Sequence, residues 1–362
     1  MSTEQPLITT IIATYRRPAL VQRAIRSVLA QTYRNFQLYV YDNASGDETG
    51  QVVSELARQD SRIKYYCHPN NIGATANFNY GIAQVETPFF SVLSDDDVLL
   101  PEFYEETLSG FRNFPDAMFS AGSVITISDQ GHVLIATLSS WKRDGYFTPP
   151  EGVMEIAKGN HPIINGILFR REVIDVFKGL DPNIVAADLD LELRVAARFP
   201  YVVSRKPTAL FVCHPSSIGM SANSTLMWPS FLKIMENLQN DDMIASDTYA
   251  YAERFLTGYF QKMLLIFGLR SAIRGDFLDT IKSADILRTH YQAHSKAFIL
   301  AILSKSLENI KAIHTLARFC FNIAKFMSRV KNRRLQKEFG SLARFLQLEE
   351  VNPVTEQTTG RI

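Results

Sequence analysis

The chain has 362 residues, of which 46% are hydrophobic and 21% are charged, which is typical of a globular protein of about two domains. Its formal net charge of +1 provides no global field for binding nucleic acid, so we predict no nucleic-acid partner. The three cysteines, Cys67, Cys213 and Cys320, lie far apart in the sequence. This spacing argues against a disulfide framework and a cysteine-based zinc site, and it suits a reducing compartment.

The apolar run at residues 7–13 is short and continues into polar residues, which predicts a strand and not a signal peptide. No window of the sequence reaches the roughly 18 apolar residues that a membrane span needs. We therefore expect a cytoplasmic protein.

The first 60 residues alternate between strand-like and helix-like patterns. Residues 7–13 are β-branched and almost continuously apolar, as in a parallel strand that is buried on both faces. Apolar residues then recur at helical spacing after Pro18, a second strand covers 37–41, and a second helix holds 52–57. Strand, helix, strand and helix with short links indicate βαβ units and a parallel sheet.

Polar residues follow three of the predicted strands: 14–15 after the first, Asp42 after the second, and 95–97 after a later one. Open parallel sheets bind ligands outside these carboxyl ends. Three adjacent carboxylates raise one another's pKa, and a divalent cation with oxygen ligands removes the repulsion. The acidic residues alone leave two interpretations open: a metal site, or a solvated acidic turn. The usual dinucleotide and P-loop fingerprints do not occur.

Five motifs between residues 11 and 101 occur in an order that resembles the family 2 glycosyltransferases of GT-A fold; they are 11–18, 27–33, 42–47, 71–81 and 93–101. The resemblance implies an α/β fold with a Rossmann-like, mainly parallel sheet flanked by helices. We expect this catalytic domain at 1–225, with its donor part at about 1–115 and its acceptor part at about 116–225. An all-α domain is expected at 226–350 and a disordered tail at 351–362.

The resemblance further implies inverting transfer of a sugar from a UDP-sugar, or less often a dTDP-sugar. The acceptor would be a hydroxyl of a glycan or lipid-linked molecule in surface polysaccharide synthesis. The implied nucleotide-binding residues are Thr14, Tyr15, Arg17, Asp42, Asn71 and Asp95. A carboxylate such as Asp42 suits the imide N–H of uracil, which is a donor. The alternative for Asp42 is an Asx turn or a helix N-cap.

The implied cofactor is Mn²⁺ or Mg²⁺, with Asp96 as the direct ligand and Asp97 and His214 as further ligands. Ser94 stands where relatives often carry the first Asp of the acidic motif. A further departure is the pair at 77–78, where many relatives have Arg or Lys. Arg17 or Lys64 is then left to neutralise the phosphates, and a purely structural histidine remains the alternative for His214.

Asp188 is the implied general base, since relatives carry Glu-Asp at this place and Arg six residues after the Asp. This chain keeps Asp188 and Arg194 but has Ala187. The alternative is a helix N-cap at Asp188. We expect Asp190 and Glu192 on flanking or solvated faces, and Arg194 is spaced to pair with Asp190.

Contacts to the donor sugar or acceptor are implied for Asn165 and Gly166, for which a simple turn before a strand is the alternative. Trp141 lies in a predicted surface loop at 137–150, where it either stacks on a sugar or packs in the protein.

The pattern is helical from Trp228 onward, and 309–337 combines an apolar stripe with many basic residues. This segment predicts either peripheral contact with an anionic membrane, or a core helix or homo-oligomer contact.

Two other functions remain open from the sequence. A nucleotidyltransferase would need a basic glycine-rich loop after the first strand, and residues 14–18 contain two arginines but no glycine. A catalytically inactive nucleotide- or sugar-binding module is consistent with the departures at Ser94, Phe78 and Ala187. Metal-dependent binding of UDP separates the enzyme from both alternatives.

Overall fold

The computed structural model describes residues 7–138, 141, 144–159, 161–214, 222–309 and 332–347, with the side chains of 306–309 left aside. Strands are interspersed with helices up to residue 213, and the elements from 224 to 309 are helices. This confirms the predicted α/β fold with a helical region after it.

Ten strands of the described residues form one sheet. Their bounds are β1 Ile8–Thr14, β2 Phe36–Asp42, β3 Ile63–Cys67, β4 Phe89–Ser94, β5 Val98–Leu99, β6 Phe119–Ser128, β7 Val133–Ala136, β8 Gly145–Phe147, β9 Ile167–Arg170 and β10 Tyr201–Cys213. The order is β3-β2-β1-β4-β9-β6-β10-β5, with β7 beside β6 and β8 beside β10. β1 pairs in parallel with β2 and β4, and β2 pairs in parallel with β3, so these four strands end at one edge.

The helices of the first part are α1 Pro18–Leu29, α2 Thr49–Gln59, α3 Ala74–Ala83, α4 Phe103–Asn113, α5 Glu151–Ala157, α6 Glu172–Phe177 and α7 Ala187–Arg198. The later helices are α8 Ser224–Gln239, α9 Ser246–Arg274, α10 Phe277–Thr289, α11 His294–Asn309 and α12 Arg333–Phe339. Two 3-10 helices, Ile164–Gly166 and Gly340–Gln347, complete the set that the structure describes. Pro18 occupies the first turn of α1, where its missing N–H costs no hydrogen bond.

The core explains why the sheet and the later helices form one body. All seven residues of β1 are buried, as their continuous apolar pattern predicts. One apolar cluster includes Phe169 of β9 together with Phe231 of α8 and Phe260 of α9. The rings of Phe231 and Phe260 stack with centroids 4.1 Å apart. The helical region therefore packs directly against the α/β region.

Residues 332–347 depart from the predicted boundary, because they return to the sheet. Leu335 and Phe339 pack on a cluster contributed by β5, β6, β7 and β10. The backbone N–H of Val133 donates to Gln336 Oε1 at 2.7 Å, and Asn332 Nδ2 donates to the Leu134 carbonyl at 2.7 Å. This segment belongs structurally with the sheet and not with the helical bundle.

Most of the basic segment predicted at 309–337, and all of the tail predicted at 351–362, lie outside the described residues. Within the described ranges, none of the helices has both the length and the hydrophobicity of a transmembrane span.

Candidate functional site

The candidate site lies where β1, β2 and β4 end. Thr14 is in register with Asp42, and Ala13 is in register with Ser94. The residues that follow β4 therefore enter the same edge as the ends of β1 and β2. We call Asp95, Asp96 and Asp97 the acidic loop.

Two carboxylates of the acidic loop share a network of polar side chains. Thr14 Oγ1 donates to Asp95 Oδ2 at 2.8 Å, and Arg17 Nη1 donates to Asp95 Oδ1 at 2.9 Å and to Asp96 Oδ2 at 3.0 Å. His214 Nε2 lies 2.9 Å from Asp96 Oδ2. Five predicted site residues thus meet at one point, although their positions in the sequence span two hundred residues.

Two arginine side chains place positive charge beside the carboxylates of the acidic loop. Burial raises the pKa of Asp95, while the Arg17 guanidinium beside it acts in the opposite direction. A second arginine, Arg23 of α1, donates from Nη2 to the backbone oxygen of Asp96 at 2.6 Å. Sequence reasoning missed Arg23, whose only signal was its place one and a half turns into the helix that follows the first strand end.

Asp97 has a different position from its two neighbours, which corrects its prediction as a metal ligand. It is 0% exposed, Val212 N donates to its Oδ1 at 2.7 Å, and Asn165 Nδ2 donates to its Oδ2. Burial raises the pKa of Asp97 well above the usual value, and the neighbouring Asp96 adds to this effect. Both oxygens point into the protein, so Asp97 anchors the acidic loop from below.

Asn165 and Gly166 also lie beneath the surface, which corrects the prediction that they contact a sugar. Asn165 is 1% exposed, and its Oδ1 accepts the backbone N–H of Ser94 at 3.2 Å. A Cβ atom added at Gly166 would lie 2.5 Å from Val124 Cγ2, so this glycine allows close packing of the 3-10 turn. Through Asn165 the turn is hydrogen-bonded both to Ser94 at the end of β4 and to Asp97.

Trp141 is 3% exposed and packs in the main core, so its ring has no open face for a sugar. Its centroid lies 4.9 Å from that of Phe147 and 6.2 Å from that of Tyr201. The packing alternative therefore describes Trp141. The predicted surface loop at 137–150 contains β8 and the buried Phe147.

Asp42 adopts the turn arrangement that was its alternative role. Its Oδ1 accepts Ser45 N at 2.8 Å, and its Oδ2 accepts the Tyr65 hydroxyl at 2.8 Å. Burial, together with the bond to Asp42, raises the pKa of Tyr65. Asp42 is 1% exposed, and contact with a base stays a prediction. Sequence reasoning missed the hydroxyl of Tyr65.

The remaining nucleotide candidates lie at the same edge but are more open. Tyr15 is 38% exposed, with the Arg16 guanidinium 5.2 Å from its ring centroid. Asn71 accepts from Asn43 Nδ2 at 2.9 Å and from Gly73 N at 2.9 Å. These contacts order the loop between β3 and α3 near the end of β2.

Asp188 is half-buried at the second residue of α7, and Ala186 is the N-cap. The helix start has no side-chain cap hydrogen bond, so the N-cap alternative for Asp188 is wrong. Its carboxylate has no hydrogen-bond or ion-pair partner among the described residues. The general-base role of Asp188 stays a prediction.

The expectation that Asp190 and Glu192 lie on flanking or solvated faces is wrong, because both are 0% exposed. Arg194 pairs with Asp190 at 2.7 Å, which confirms the predicted spacing. Glu192 Oε2 lies 3.1 Å from Nδ1 of His161, a residue that sequence reasoning did not select. The available signal was the four-residue spacing of Asp188 and Glu192, which places both on one face of α7.

Two described side chains at the strand ends are of types that could hold a divalent metal. No group of three or more His, Cys, Asp and Glu side chains suited to a metal ion occurs in the described part of the chain. Asp96 and His214 offer one oxygen and one nitrogen ligand at the strand ends. Protein sites for Mg²⁺ commonly use one or two carboxylates and take their other ligands from phosphates and water. The donor set therefore fits a metal that is completed by a bound diphosphate.

Comparison with known proteins matches residues 9–176 to the family described as Glycosyl transferase family 2. A GalNAc(5)-diNAcBac-PP-undecaprenol beta-1,3-glucosyltransferase of Campylobacter jejuni is 36% identical over 96 residues, 26% of this chain and 31% of that protein. An uncharacterized glycosyltransferase of Rickettsia felis is 30% identical over 267 residues, 70% of this chain and 42% of that protein. The chain spans less than half the length of these two relatives.

Solved structures share the fold. S. aureus TarS 1-349 in complex with UDP-GlcNAc has a TM-score of 0.62 at 14% identity, covering 88% of this chain and 92% of that one. The mannosyltransferase PcManGT from Pyrobaculum calidifontis, in complex with GDP-Man and Mn2+, has a TM-score of 0.52 at 13% identity, covering 95% and 86%. Residues 9–176 of this chain thus match glycosyl transferase family 2, and the fold of the chain is similar to that of these glycosyltransferase structures.

Proposed function

We propose that this chain is an inverting, metal-dependent glycosyltransferase that moves a sugar from a UDP-sugar to a hydroxyl of a glycan or lipid-linked acceptor. The observation that carries the proposal is the network of Thr14, Arg17, Asp95, Asp96 and His214 at the strand ends. The UDP-GlcNAc bound to TarS and the undecaprenol-linked acceptor in the Campylobacter name support the substrate classes. The proposed setting is surface polysaccharide synthesis at the cytoplasmic face of a membrane.

On the donor side, Tyr15 and Asn71 flank the nucleotide at the rim, and Thr14 and Asp95 face its ribose. Asp42 accepts the imide N–H of uracil. Each carboxylate oxygen has two lone pairs, so the bonds from Ser45 and Tyr65 leave capacity for this contact. Those two bonds also fix the orientation of the carboxylate.

Asp96 and His214 would hold Mn²⁺ or Mg²⁺ at the diphosphate. When bound, the ion neutralises the charge that builds on the leaving diphosphate as the glycosidic bond breaks. Arg17 supplies further positive charge at this point, which the segment 71–81 does not, since it carries no Arg or Lys.

On the acceptor side, Asp188 is the general base. The acceptor oxygen attacks the anomeric carbon from the face opposite the diphosphate, its proton passes to the Asp188 carboxylate, and the electron pair of the broken C–O bond leaves with the nucleotide. Attack from the opposite face inverts the configuration of the sugar. A half-buried carboxylate without a partner in the described residues suits this role.

Calorimetric titration of UDP, with and without Mn²⁺, tests the proposal on the wild type and on Asp96→Asn. We expect Mn²⁺ to strengthen UDP binding in the wild type, and D96N to lose about tenfold of that affinity, or about 1.4 kcal/mol. Asp175→Asn, at an exposed carboxylate of α6, is the matched control and should behave as the wild type.

Absence of UDP binding, or UDP binding of equal strength with and without metal, would contradict the proposal. If UDP binds in a metal-dependent way, a screen for slow hydrolysis of nucleotide-sugars identifies the donor without knowledge of the acceptor.

A further inference from the structure

Two helices of the helical region, α10 and α11, form a layer on α9. A Cβ atom added at Gly268 of α9 would lie 2.9 Å from Ser283 Cβ of α10 and 2.6 Å from Leu300 Cδ1 of α11. Ser283 and Leu300 are both 0% exposed. Both helices therefore turn one face towards the same place on α9, and their opposite faces point away from α9.

The outer face of this layer carries large apolar side chains. With 3.6 residues per turn, positions two or five residues from an inward residue lie near the opposite side of a helix. This places Leu278 and Ile281 of α10 on the outer face, and Phe298 and Ile302 of α11 beside them. These four residues are 84%, 51%, 66% and 47% exposed, and the adjacent Ile299 is 49% exposed.

The outer residues of the two helices form one patch. A link of only four residues, 290–293, joins α10 to α11, and the two helices pack against each other, so they run antiparallel. Because their inward residues meet at one place on α9, Ile281 lies level with Ile302, and Leu278 lies level with Lys305. We define the outer apolar patch as Leu278, Ile281, Phe298, Ile299 and Ile302.

The charged side chains on the outer sides of these two helices are mainly basic. Lys282 and Lys305 are exposed at the edges of the outer apolar patch. Arg288 pairs with Asp285 at 2.6 Å, so the charges of these two residues cancel. The two lysines therefore leave this face with a net positive charge.

The layer is tied to the α/β region through α9. A Cβ atom added at Gly159, which follows α5, would lie 2.8 Å from Tyr259 Cδ2 of α9. Tyr259 is nine residues before Gly268, a distance of about 14 Å along the helix. At its other edge, Asp279 of α10 accepts the backbone N–H of Thr225 at 2.9 Å, at the start of α8. The outer apolar patch is thus carried on a fixed support.

We propose that the outer apolar patch docks this chain on the anionic surface of a lipid bilayer. Exposed apolar side chains enter the boundary between headgroups and acyl chains, and basic residues at the edge remain with the anionic headgroups. An exposed apolar patch without such an occupant is a liability for a protein in water. The inference rests on the proposed function for its purpose, because docking brings the enzyme to a lipid-linked acceptor.

Co-sedimentation of the full chain with vesicles tests the proposal. We expect binding to vesicles of phosphatidylcholine mixed with phosphatidylglycerol, and about tenfold weaker binding to phosphatidylcholine alone. The double variant Phe298→Ser, Ile302→Ser should bind the mixed vesicles about tenfold more weakly, because it loses apolar area. Lys282→Gln should weaken binding about fivefold, the effect of one basic residue near an anionic surface. Ile135→Ser, at an apolar residue of β7 that is 57% exposed, is the matched control and should bind as the wild type.

Absence of binding to the mixed vesicles overturns the proposal, and so does equal binding to both kinds of vesicle. Unchanged binding by the double variant also overturns it, because another part of the chain would then hold the vesicle. A dimer in analytical ultracentrifugation that the double variant dissociates overturns it as well, since a second copy would then cover the patch.

Calorimetry of UDP with Mn²⁺ on the double variant separates this inference from the proposed function. The substituted side chains are exposed, so the variant should fold and bind UDP as the wild type does. Vesicle binding is measured without nucleotide or acceptor. Failure to bind vesicles, with metal-dependent UDP binding intact, contradicts the docking surface alone, whereas vesicle binding without UDP binding contradicts the proposed function alone.

Discussion

The acidic loop and the start of α7 hold their carboxylates in opposite ways. Asp95 and Asp96 of the acidic loop are bound by Arg17, with Thr14 and His214 completing the network. The Asp188 carboxylate has no partner in the part of the chain that the structure describes. A carboxylate that binds a metal ion can be paired with a side-chain cation before the metal arrives. A carboxylate that accepts a proton from a substrate needs oxygen atoms without other partners.

The difference extends to what lies beneath each carboxylate. Within the acidic loop, the oxygens of Asp97 accept hydrogen bonds from Val212 N and Asn165 Nδ2, and these bonds fix the loop from below. Asp188 instead has no bonded partner in the described residues, and one turn further along α7 the buried Glu192 contacts His161. The carboxylates at the strand ends are therefore fixed by hydrogen bonds, whereas the Asp188 carboxylate is not.

The largest expected effect is at the open carboxylate. Asp188→Asn should lower kcat about 10³-fold, because it removes the proton acceptor and keeps the shape of the side chain. UDP binding with Mn²⁺ should stay unchanged, since the acidic loop is intact. Steady-state kinetics and calorimetry measure the two quantities, with D175N as the exposed control. A loss of UDP affinity in D188N would show that Asp188 also contributes to nucleotide binding.

The next effect concerns the support of the acidic loop. Asn165→Ala removes the donor to Asp97 and the acceptor of the Ser94 N–H, so the free energy of unfolding should fall by about 2–3 kcal/mol. Urea unfolding measures this change. Asn183→Ala, in an exposed loop, is the control and should stay within about 0.5 kcal/mol of the wild type. Equal stability of N165A and the wild type would mean that Asp97 is satisfied without Asn165.

The sequence predicted the residues that meet at the strand ends more completely than the surroundings of Asp188, for a physical reason. Strand periodicity identifies where buried strands stop, and parallel pairing then brings Thr14, Asp42 and Asp95 to one edge. His161 and Glu192 are 31 residues apart and meet only through packing of a loop against α7. No local sequence pattern indicates that these two residues are in contact.

The direction of a side chain was equally hard to infer. Asp96 and Asp97 are adjacent and chemically identical, yet one faces Arg17 and the other is fully buried. For Asn165 and Trp141 the sequence left a sugar contact open beside a turn and a packing role, and the structure buries both residues. Residue type shows which contacts are possible, and tertiary packing decides which side of the loop a side chain occupies.

The smallest effect tests whether the resting state of the acidic loop opposes metal binding. Arg17→Gln removes the cation that bridges Asp95 and Asp96, so Mn²⁺ without nucleotide should bind more tightly. The same variant should bind UDP with Mn²⁺ more weakly, because the diphosphate loses a positive charge. Each change should be about fivefold, since partly exposed ion pairs are worth up to about 1 kcal/mol.

The opposite signs of these two changes distinguish exchange of Arg17 between partners from simple damage to the site. Electron paramagnetic resonance of unbound Mn²⁺ measures the first affinity, and calorimetry with UDP measures the second. Arg34→Gln removes a charge at an exposed position away from the loop and should alter neither. If R17Q weakened both affinities, Arg17 would be a support of the acidic loop. If it strengthened Mn²⁺ binding alone, the guanidinium would compete with the metal without ever reaching the diphosphate.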